Sequence, residues 1–442
     1  MKRKEIADWA IEEALRRGAQ AARAELSCIS MLNVQCEDAE VTTLQQNSGC
    51  GLVMRLFVDG RYGTYSTNRL DRNELAILIS NGIACTRLLS PDTDRTLPDP
   101  SRYYKASTIE QNMADAIALG NYMEDDPGSY DPVKMALSVA RPVIGTDKRI
   151  INISTQLGNR SGWQYLTDSQ GFSGISLCSQ AYAYTSVSMH DDDDSRPSDG
   201  WVDYGINFKE LKTFLPDLGH KALTAAQWRL GATQIPAGQY NIAVEPVCLM
   251  KLLNPILEAI SDYNLYQKRS FLTDSIGKTI VAECLTITDE PRRHGAYGAC
   301  LFDFEGVSTF ASDIIRNGRL CTEFFGTYYS NKMHVRPTIS SPNVLCIKPG
   351  TRSRQQILDS LDNSILITGF LGGNCNDTTG DFSFGIEAQL YRNGERIQGI
   401  AGMNITGNIL SLWQNLHEVA NDTEKVPDGY FPTLFFHEIS IQ

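Results

Sequence analysis

Features that mark several common classes of protein are missing from this sequence of 442 residues. No uncharged apolar run approaches the roughly 18 residues that a membrane-spanning helix needs. The stretch 1–17 also lacks the apolar core of a signal peptide, because charged residues interrupt it. The 40 Lys and Arg residues are outnumbered by 52 Asp and Glu residues, and the net charge of −12 opposes non-specific binding to nucleic acid. We therefore expect no direct binding to nucleic acid or to membranes.

A disulfide framework is not expected either. The eleven cysteines are scattered along the chain and form no C-x-x-C pair. An odd count without a regular spacing favours reduced thiols that pack as small apolar groups. Reduced thiols are typical of the cytoplasm, so the sequence predicts a cytoplasmic protein.

The length of the chain predicts two or three domains, and its pattern of elements predicts an α+β fold. An N-terminal layered α/antiparallel-β region is expected first. It comprises an α-β-β-β-β-α unit over residues 1–95 and central helices plus an antiparallel sheet over 105–200. The proline-containing stretch 88–104 is interpreted as a linker between these units. A β-dominated C-terminal domain is expected over 205–442.

Local patterns predict several strands and turns. In the first unit, strands are predicted over 25–35, 39–47 and 51–67 because β-branched, aromatic and other apolar residues recur there. Asp-Gly or Asn-Gly between two runs of β-formers indicates a tight hairpin. We predict such hairpins at Asp59-Gly60, Asn317-Gly318 and Asn393-Gly394.

Sequence motifs for catalysis are incomplete. The segment "DSIGKTI" resembles the end of a phosphate-binding loop, but Leu272 stands where the first glycine is required. The six histidines are far apart in the sequence. His417 and His437 are each followed by glutamate, as in zinc helices, but neither stretch supplies the second histidine. We therefore predict no catalytic and no metal-binding residue in this chain.

Several longer segments, taken together and in order, resemble the TldD/PmbA family, and within it the PmbA (TldE) branch once called "modulator of DNA gyrase". The resemblance covers nearly the whole chain. The segments are "GCGLVMRLFVDGRYGTYSTNRLDRNEL", "LTDSQGFSG", "SFLTDSIGKTI", "LTITDEPRRHGAYGACLFDFEGV", "IIRNGRL", "PNVLCIKPG", "TGDFSFGIEAQLYRNGERI" and "MNITGNILSLWQNLHEVANDT". The resemblance implies an α+β fold and a cytosolic metalloprotease of two paralogous subunits that processes peptides.

In that family one subunit carries a zinc motif, H-E-x-x-x-H, and a further cysteine ligand. Here the corresponding segment is 245–260, "EPVCLMKLLNPILEAI", which has Cys248 but no histidine, and segment 421–439 lacks the expected cysteine. The resemblance therefore implies a subunit without its own cofactor. Zinc would be in a TldD-like sister subunit, and the substrates would be peptides or unfolded polypeptides. In isolation we expect a homodimer.

The segment "GGNCNDTTGDFSFG", residues 372–385, gives the candidate binding residues. Glycines allow unusual backbone geometry, and short polar side chains can contact a peptide main chain. We expect peptide or partner binding by Asn376, Asp377, Thr379, Gly380, Asp381 and Ser383. The alternative is that the loop merely closes a corner of a sheet.

Two other functions are compatible with the sequence. The chain could be a non-enzymatic interaction protein that acts on a toxin–antitoxin or DNA gyrase system, as the older family name implies. It could also be a stand-alone peptidase with unorthodox metal ligands. Zinc content and association with a zinc-bearing sister distinguish these alternatives.

Overall fold

The computed structural model describes residues 4–123, 128–192 and 194–442. In the first half, six antiparallel strands form one sheet in the order β3-β2-β1-β4-β5-β6. The strands are β1 (Ala21–Glu37), β2 (Glu40–Val58), β3 (Arg61–Thr67), β4 (Ile150–Asp168), β5 (Ser173–Met189) and β6 (Ser198–Gly205). The helices are α1 (Lys4–Arg16), α2 (Arg72–Thr86), α3 (Ile109–Ala118), α4 (Pro132–Ala140), α5 (Phe208–Leu211) and α6 (Leu215–Arg229).

Apolar and charged side chains alternate along part of β1, so the two faces of this sheet differ. Ala22, Ala24 and Leu26 of β1 are fully buried in one apolar cluster with residues of α1 and α2. Because successive side chains of a strand point to opposite faces, Arg23 and Glu25 lie on the other face. That second face is therefore polar where the C-terminal region covers it.

Three expectations about the first half need correction. The strands predicted over 39–47 and 51–58 are one strand, β2, because β1 pairs with it from Ala21 to Glu37. The units predicted over 1–95 and 105–200 contribute to one sheet, because β1 also pairs with β4. The linker 88–104 is packed on the C-terminal region, where the Tyr328 hydroxyl donates to Asp92 (2.6 Å).

The expectation of reduced thiols is wrong for one pair of cysteines. Cys28 and Cys50 lie directly opposite each other on β1 and β2 and form a disulfide, with their Cα atoms 4.1 Å apart. The other nine cysteines, all of which lie in the described ranges, have no disulfide partner there. The pair was missed because strand register, and not spacing in the sequence, brings the two thiols together.

The C-terminal region contains two further six-stranded sheets, ordered β10-β9-β8-β11-β17-β16 and β14-β13-β12-β7-β18-β15. Their strands are β7 (Gly238–Val244), β8 (Ile287–Asp289), β9 (Ser312–Arg316), β10 (Arg319–Leu320), β11 (Leu345–Ile347), β12 (Asn363–Cys375), β13 (Asp381–Arg392), β14 (Glu395–Asn408), β15 (Leu416–Val419), β16 (Glu424–Val426), β17 (Gly429–Phe431) and β18 (Leu434–Ile441). The helices are α7 (Met250–Ala259), α8 (Asp262–Tyr266), α9 (Thr327–Met333), α10 (Arg354–Asp359) and α11 (Ile409–Gln414). The predicted α+β fold with a β-dominated C-terminal region is confirmed.

The three hairpin turns are confirmed as well. Each pair joins consecutive antiparallel strands, and both residues of each pair have positive φ angles, between 48° and 79°. Two consecutive positive φ angles match the right-handed twist of the flanking strands. Within the described parts of the chain, no helix is long and apolar enough to cross a membrane.

Candidate functional site

A cleft lies between the first sheet and the C-terminal region. It consists of two adjoining cavities of about 430 Å³ and 640 Å³. Trp201 and Val202 of β6, Lys221 of α6 and Val247 line both of them. We call these cavities together the interdomain cleft.

Side chains at alternate positions of β6 form one wall of the cleft. Asp199, Trp201 and Asp203 occupy alternate positions, which places them on the same face of the strand, and all three line the cleft. Lys221 reaches this wall from α6, with its Nζ atom 3.2 Å from an oxygen of Asp203 and 5.6 Å from the centre of the Trp201 ring.

The opposite wall is the segment that begins at Glu245. A 3₁₀ turn, Pro246–Cys248, follows β7 and leads into α7. Leu252 and Leu253 of α7 are buried in the C-terminal core, and the Trp413 indole donates to the Leu252 carbonyl at 3.0 Å. Burial of this helix fixes the 3₁₀ turn at the cleft.

Glu245 is the most perturbed carboxylate of the cleft. Arg354 donates to its Oε1 atom at 2.8 Å. Burial and, to a smaller extent, the nearby carboxylates of Glu424 and Asp422 raise the pKa of Glu245 to about 7, against the lowering effect of Arg354. Glu245 can therefore gain or lose a proton near neutral pH.

Acidic side chains outnumber basic ones around the cleft. The acidic residues are Asp199, Asp203, Glu210, Asp217, Glu245, Glu424 and Asp428, against Lys221, Arg354 and Lys425. Lys425 lies 3.9 Å from Glu210 and 3.9 Å from the centre of the Tyr297 ring, and burial lowers its pKa. A cavity with this balance attracts cationic groups, such as a peptide amino terminus or a lysine or arginine side chain.

Residues of this segment do not fit a zinc ion. The Cys248 thiol donates to the carbonyls of Glu245 (3.3 Å) and Ile367 (3.6 Å), and burial raises its pKa, which disfavours the thiolate that would bind a metal. Glu245 is paired with Arg354. Across residues 4–123, 128–192 and 194–442, no three or more His, Cys, Asp and Glu side chains are grouped so that they could hold a metal ion.

The predicted loop residues lie at the end of the β12–β13 hairpin. The Asn376 side chain accepts from the backbone N–H groups of Thr378 and Thr379 (2.9 and 3.2 Å). The Asn408 amide donates to the Thr379 carbonyl (2.7 Å) and to Asp381 (3.0 Å). Several of the polar groups in the loop are therefore bonded to one another.

None of the six predicted residues lines the interdomain cleft. Gly380 is buried with a φ of 80°, and Asp377 and Ser383 are exposed. The loop end of the hairpin does contact α7, because Lys251 donates to the Gly373 carbonyl at 3.2 Å. Binding of a peptide or partner by the loop stays a prediction.

Two histidines that are separate in the sequence lie together in the structure. The rings of His417 on β15 and His437 on β18 have centroids 3.9 Å apart. Nδ1 of His437 is hydrogen-bonded to the side-chain oxygen of Asn241 at 2.6 Å. Strand pairing, which the spacing of the histidines does not reveal, brings them together.

Sequence reasoning did not identify the charged residues of the cleft. Glu245 follows the apolar strand β7 and precedes a proline. A charged residue at the end of a buried strand is a weak sign of a site, and it could have directed attention to Glu245. No feature of the sequence indicated that Glu245 pairs with Arg354.

Two family models match the chain. The PmbA/TldA metallopeptidase domain 1 matches residues 29–85, and the PmbA/TldA metallopeptidase C-terminal domain matches residues 237–442. Metalloprotease PmbA of Escherichia coli O157:H7 is 24% identical over 411 residues, covering 92% of this chain and 88% of that protein.

Solved structures agree with these matches. A candidate modulator of DNA gyrase from Bacteroides thetaiotaomicron superposes with a TM-score of 0.93 at 36% identity, covering 99% of this chain and 98% of that one. TldE from Thermococcus kodakarensis has a similar fold, with a TM-score of 0.83 at 18% identity over 99% of each chain.

The architecture is thus that of the PmbA/TldD metallopeptidases. The chain belongs to the PmbA/TldD family, on its PmbA/TldE side, as the sequence motifs predicted.

Proposed function

We propose that this chain is the metal-free subunit of a two-subunit metallopeptidase and holds peptide substrates in the interdomain cleft. The observation that carries the proposal is the chemistry of segment 245–260. It forms a cleft wall where the family resemblance expects a zinc helix, but its thiol and carboxylate are engaged with other groups of the chain. The zinc and the hydrolytic water would come from a TldD-like sister subunit.

The charge of the cleft supports a role in holding peptides. Because its carboxylates are in the majority, the cleft favours peptides that present amino groups or basic side chains. Trp201 and Tyr297 add aromatic surface for the rest of the peptide. The substrates we propose are peptides or unfolded polypeptides with basic residues near the bound segment.

The cysteines support a cytoplasmic location for this subunit. Nine of them have no disulfide partner, which is typical of a reducing compartment. The Cys28–Cys50 pair is an exception.

A partner surface is proposed at the far end of the β1–β2 hairpin. Val41 and Leu44 are 42% and 58% exposed there, and they lie on one face of the sheet because their partners on β1 are Cys36 and Val34. Neighbouring apolar side chains exposed on a sheet commonly mark a contact between subunits. We propose that this surface binds the sister subunit and, when the chain is alone, a second copy.

Peptide hydrolysis and metal content together test the proposed function. The chain alone should cleave no peptide and hold no stoichiometric zinc, whereas its mixture with a sister carrying H-E-x-x-x-H should cleave basic peptides. Stoichiometric zinc with hydrolysis by the chain alone would instead establish a stand-alone peptidase. Failure to associate with the sister would favour an interaction protein that acts on another target.

The partner surface is tested by the substitution Leu44→Glu. A charge in an apolar contact is left without a partner and disfavours association, so we expect at least tenfold weaker binding to the sister by analytical ultracentrifugation. Leu88→Glu is the matched control, because Leu88 is 86% exposed just after α2, near the opposite end of β2. Equal binding by both variants would exclude this surface.

A further inference from the structure

We propose that a cavity separate from the interdomain cleft binds an oxyanion, a carboxylate or a phosphate, carried on an aromatic or apolar body. The cavity has a volume of about 420 Å³ and lies between the polar face of the first sheet and the segments around α8 and α9. Arg23, Arg55 and Arg95 line it together with aromatic rings. We call it the arginine pocket. It does not adjoin the interdomain cleft through any shared lining residue.

Two of its guanidinium groups are placed against each other by strand register. Arg23 on β1 is the direct partner of Arg55 on β2 and, on its other side, of Asp168 on β4. Like charges at directly opposed positions of a sheet are destabilising. An arginine cannot relieve this repulsion by losing its proton, so anions must balance it. Asp168 and Glu25 each pair with one of the two arginines, and a bound oxyanion would add a third negative group.

Each of these arginines retains unused hydrogen-bond donors. Arg23 is 4% exposed and donates through Nη2 to Asp168 at 2.9 Å, while its buried Nε atom has no partner in the described part of the chain. Arg55 donates through Nη1 to Glu25 at 2.9 Å. A guanidinium has five N–H donors, and a buried donor without a partner is costly. These donors match the geometry of a carboxylate or phosphate.

The carboxylates of the pocket are already engaged elsewhere. Asp262 accepts from the N–H of Gly326 at 3.0 Å. Glu305 accepts from the N–H (3.0 Å) and the hydroxyl (2.9 Å) of Thr327. Both therefore anchor the start of α9. Within the described residues, the ion-pair partners of Arg23, Arg55 and Arg95 are other carboxylates.

Aromatic rings provide the surface for the body of the ligand. Phe57 and Tyr62 are direct partners on β2 and β3, with ring centroids 5.2 Å apart. Arg95 lies 3.7 Å from the centre of the Tyr328 ring and 5.0 Å from that of Tyr62. Such stacking holds the Arg95 guanidinium in place beside the cavity. A planar or apolar group attached to the oxyanion would contact these rings.

Calorimetric titration of the full chain tests the pocket with defined probes. N-acetylphenylalanine and phenyl phosphate serve as the two oxyanions, and N-acetylphenylalanine amide is the neutral analogue. We expect at least one oxyanion to bind and the amide to bind about tenfold more weakly or not at all. Binding of the carboxylate alone would identify a carboxylic acid or peptide terminus as the ligand class, and binding of phenyl phosphate alone a phosphorylated compound.

Variants locate the binding to the arginines. Arg55→Gln should weaken binding about tenfold or more, and Arg55→Lys should weaken it less, because the charge is kept while the planar fork is lost. Arg160→Gln is the control, since it removes the same charge from an exposed position elsewhere on β4. Arg95→Gln gives an independent second variant if Arg55→Gln does not fold, as judged by circular dichroism.

Three results would overturn the proposal. They are the absence of heat with both oxyanions up to about 1 mM, equal affinity for the amide, and unchanged affinity in the folded Arg55 and Arg95 variants. The experiment needs neither a sister subunit nor hydrolysis. Its outcome is therefore separate from that of the proposed peptidase role.

Discussion

The interdomain cleft and the arginine pocket both lie between the first sheet and the C-terminal region, but their like charges respond differently to burial. In the cleft, carboxylates lie near one another, and the pKa of Glu245 rises to about 7, so a proton can neutralise this carboxyl group. In the pocket, Arg23 and Arg55 oppose each other, and neither can titrate in the physiological range. The cleft is thus sensitive to pH, whereas the pocket depends on its counterions.

The largest expected effect comes from removing a counterion of the pocket. Arg23 and Asp168 form a pair with 5% and 0% side-chain exposure. Asp168→Ala should lower the free energy of unfolding by about 3–5 kcal/mol, because a buried charge is left unpaired and cannot neutralise itself. Urea unfolding followed by circular dichroism measures this.

Asp168 also accepts a hydrogen bond from the Tyr103 hydroxyl at 2.7 Å, and the same hydroxyl lies 3.1 Å from Gln170 Oε1, so Tyr103→Phe is the control for the loss of this hydroxyl. It should cost about 1 kcal/mol. A loss as small as this for Asp168→Ala would show that the pocket tolerates an unpaired arginine.

A second effect of intermediate size is expected from the cleft and depends on pH. The folded-state pKa of Glu245 is above its ordinary value of 4.5. Its contribution to stability is therefore fully present below about pH 4.5 and is lost as the pH rises through about 7. Glu245→Gln should remove this loss, so stability should fall by up to about 3 kcal/mol more in the natural protein than in the variant between pH 5 and 8.

Urea unfolding at a series of pH values measures this difference. Other carboxylates titrate in both proteins, and the comparison with Glu245→Gln cancels their contribution. Parallel stability curves for the two proteins would contradict the assignment of the proton to Glu245.

The smallest effect is expected from the half-exposed pair in the cleft. Lys221 and Asp203 are 3.2 Å apart, with 40% and 15% side-chain exposure. Lys221→Ala should change the free energy of unfolding by less than about 1 kcal/mol, because solvent screens such pairs. A cost close to that of Asp168→Ala would mean that the cleft and the pocket do not differ in the way proposed.

Local signals in the sequence predicted the turns and the class of fold well. Asp59-Gly60 and Asn393-Gly394 specify their hairpins because each pair favours positive φ angles. The unbroken strand β2 was missed because Gly49 and Gly51 lie in its middle, beside a polar run. Pairing with β1 outweighs those weak local preferences.

The sites depended on relations that no local pattern contains. Arg23, Arg55 and Asp168 are aligned by the register of three strands, one of which lies more than a hundred residues further along the chain. Glu245, just after β7, and Arg354, at the start of α10, are also far apart in the sequence and meet only in the fold. The family resemblance pointed to segment 245–260. The raised pKa of Glu245 and its pairing with Arg354 could be recognised only from the folded structure.

The position of β18 has a consequence for how the protein is made. This strand lies between β7 and β15, and residues 245–433 separate it from its neighbour β7 in the chain. At about 5–20 residues per second, a ribosome takes roughly 10–40 s to make the intervening stretch. During that time one edge of β7 remains unpaired, and the nascent chain is vulnerable to mispairing of strands. The same interval is available for chaperones to bind the nascent chain.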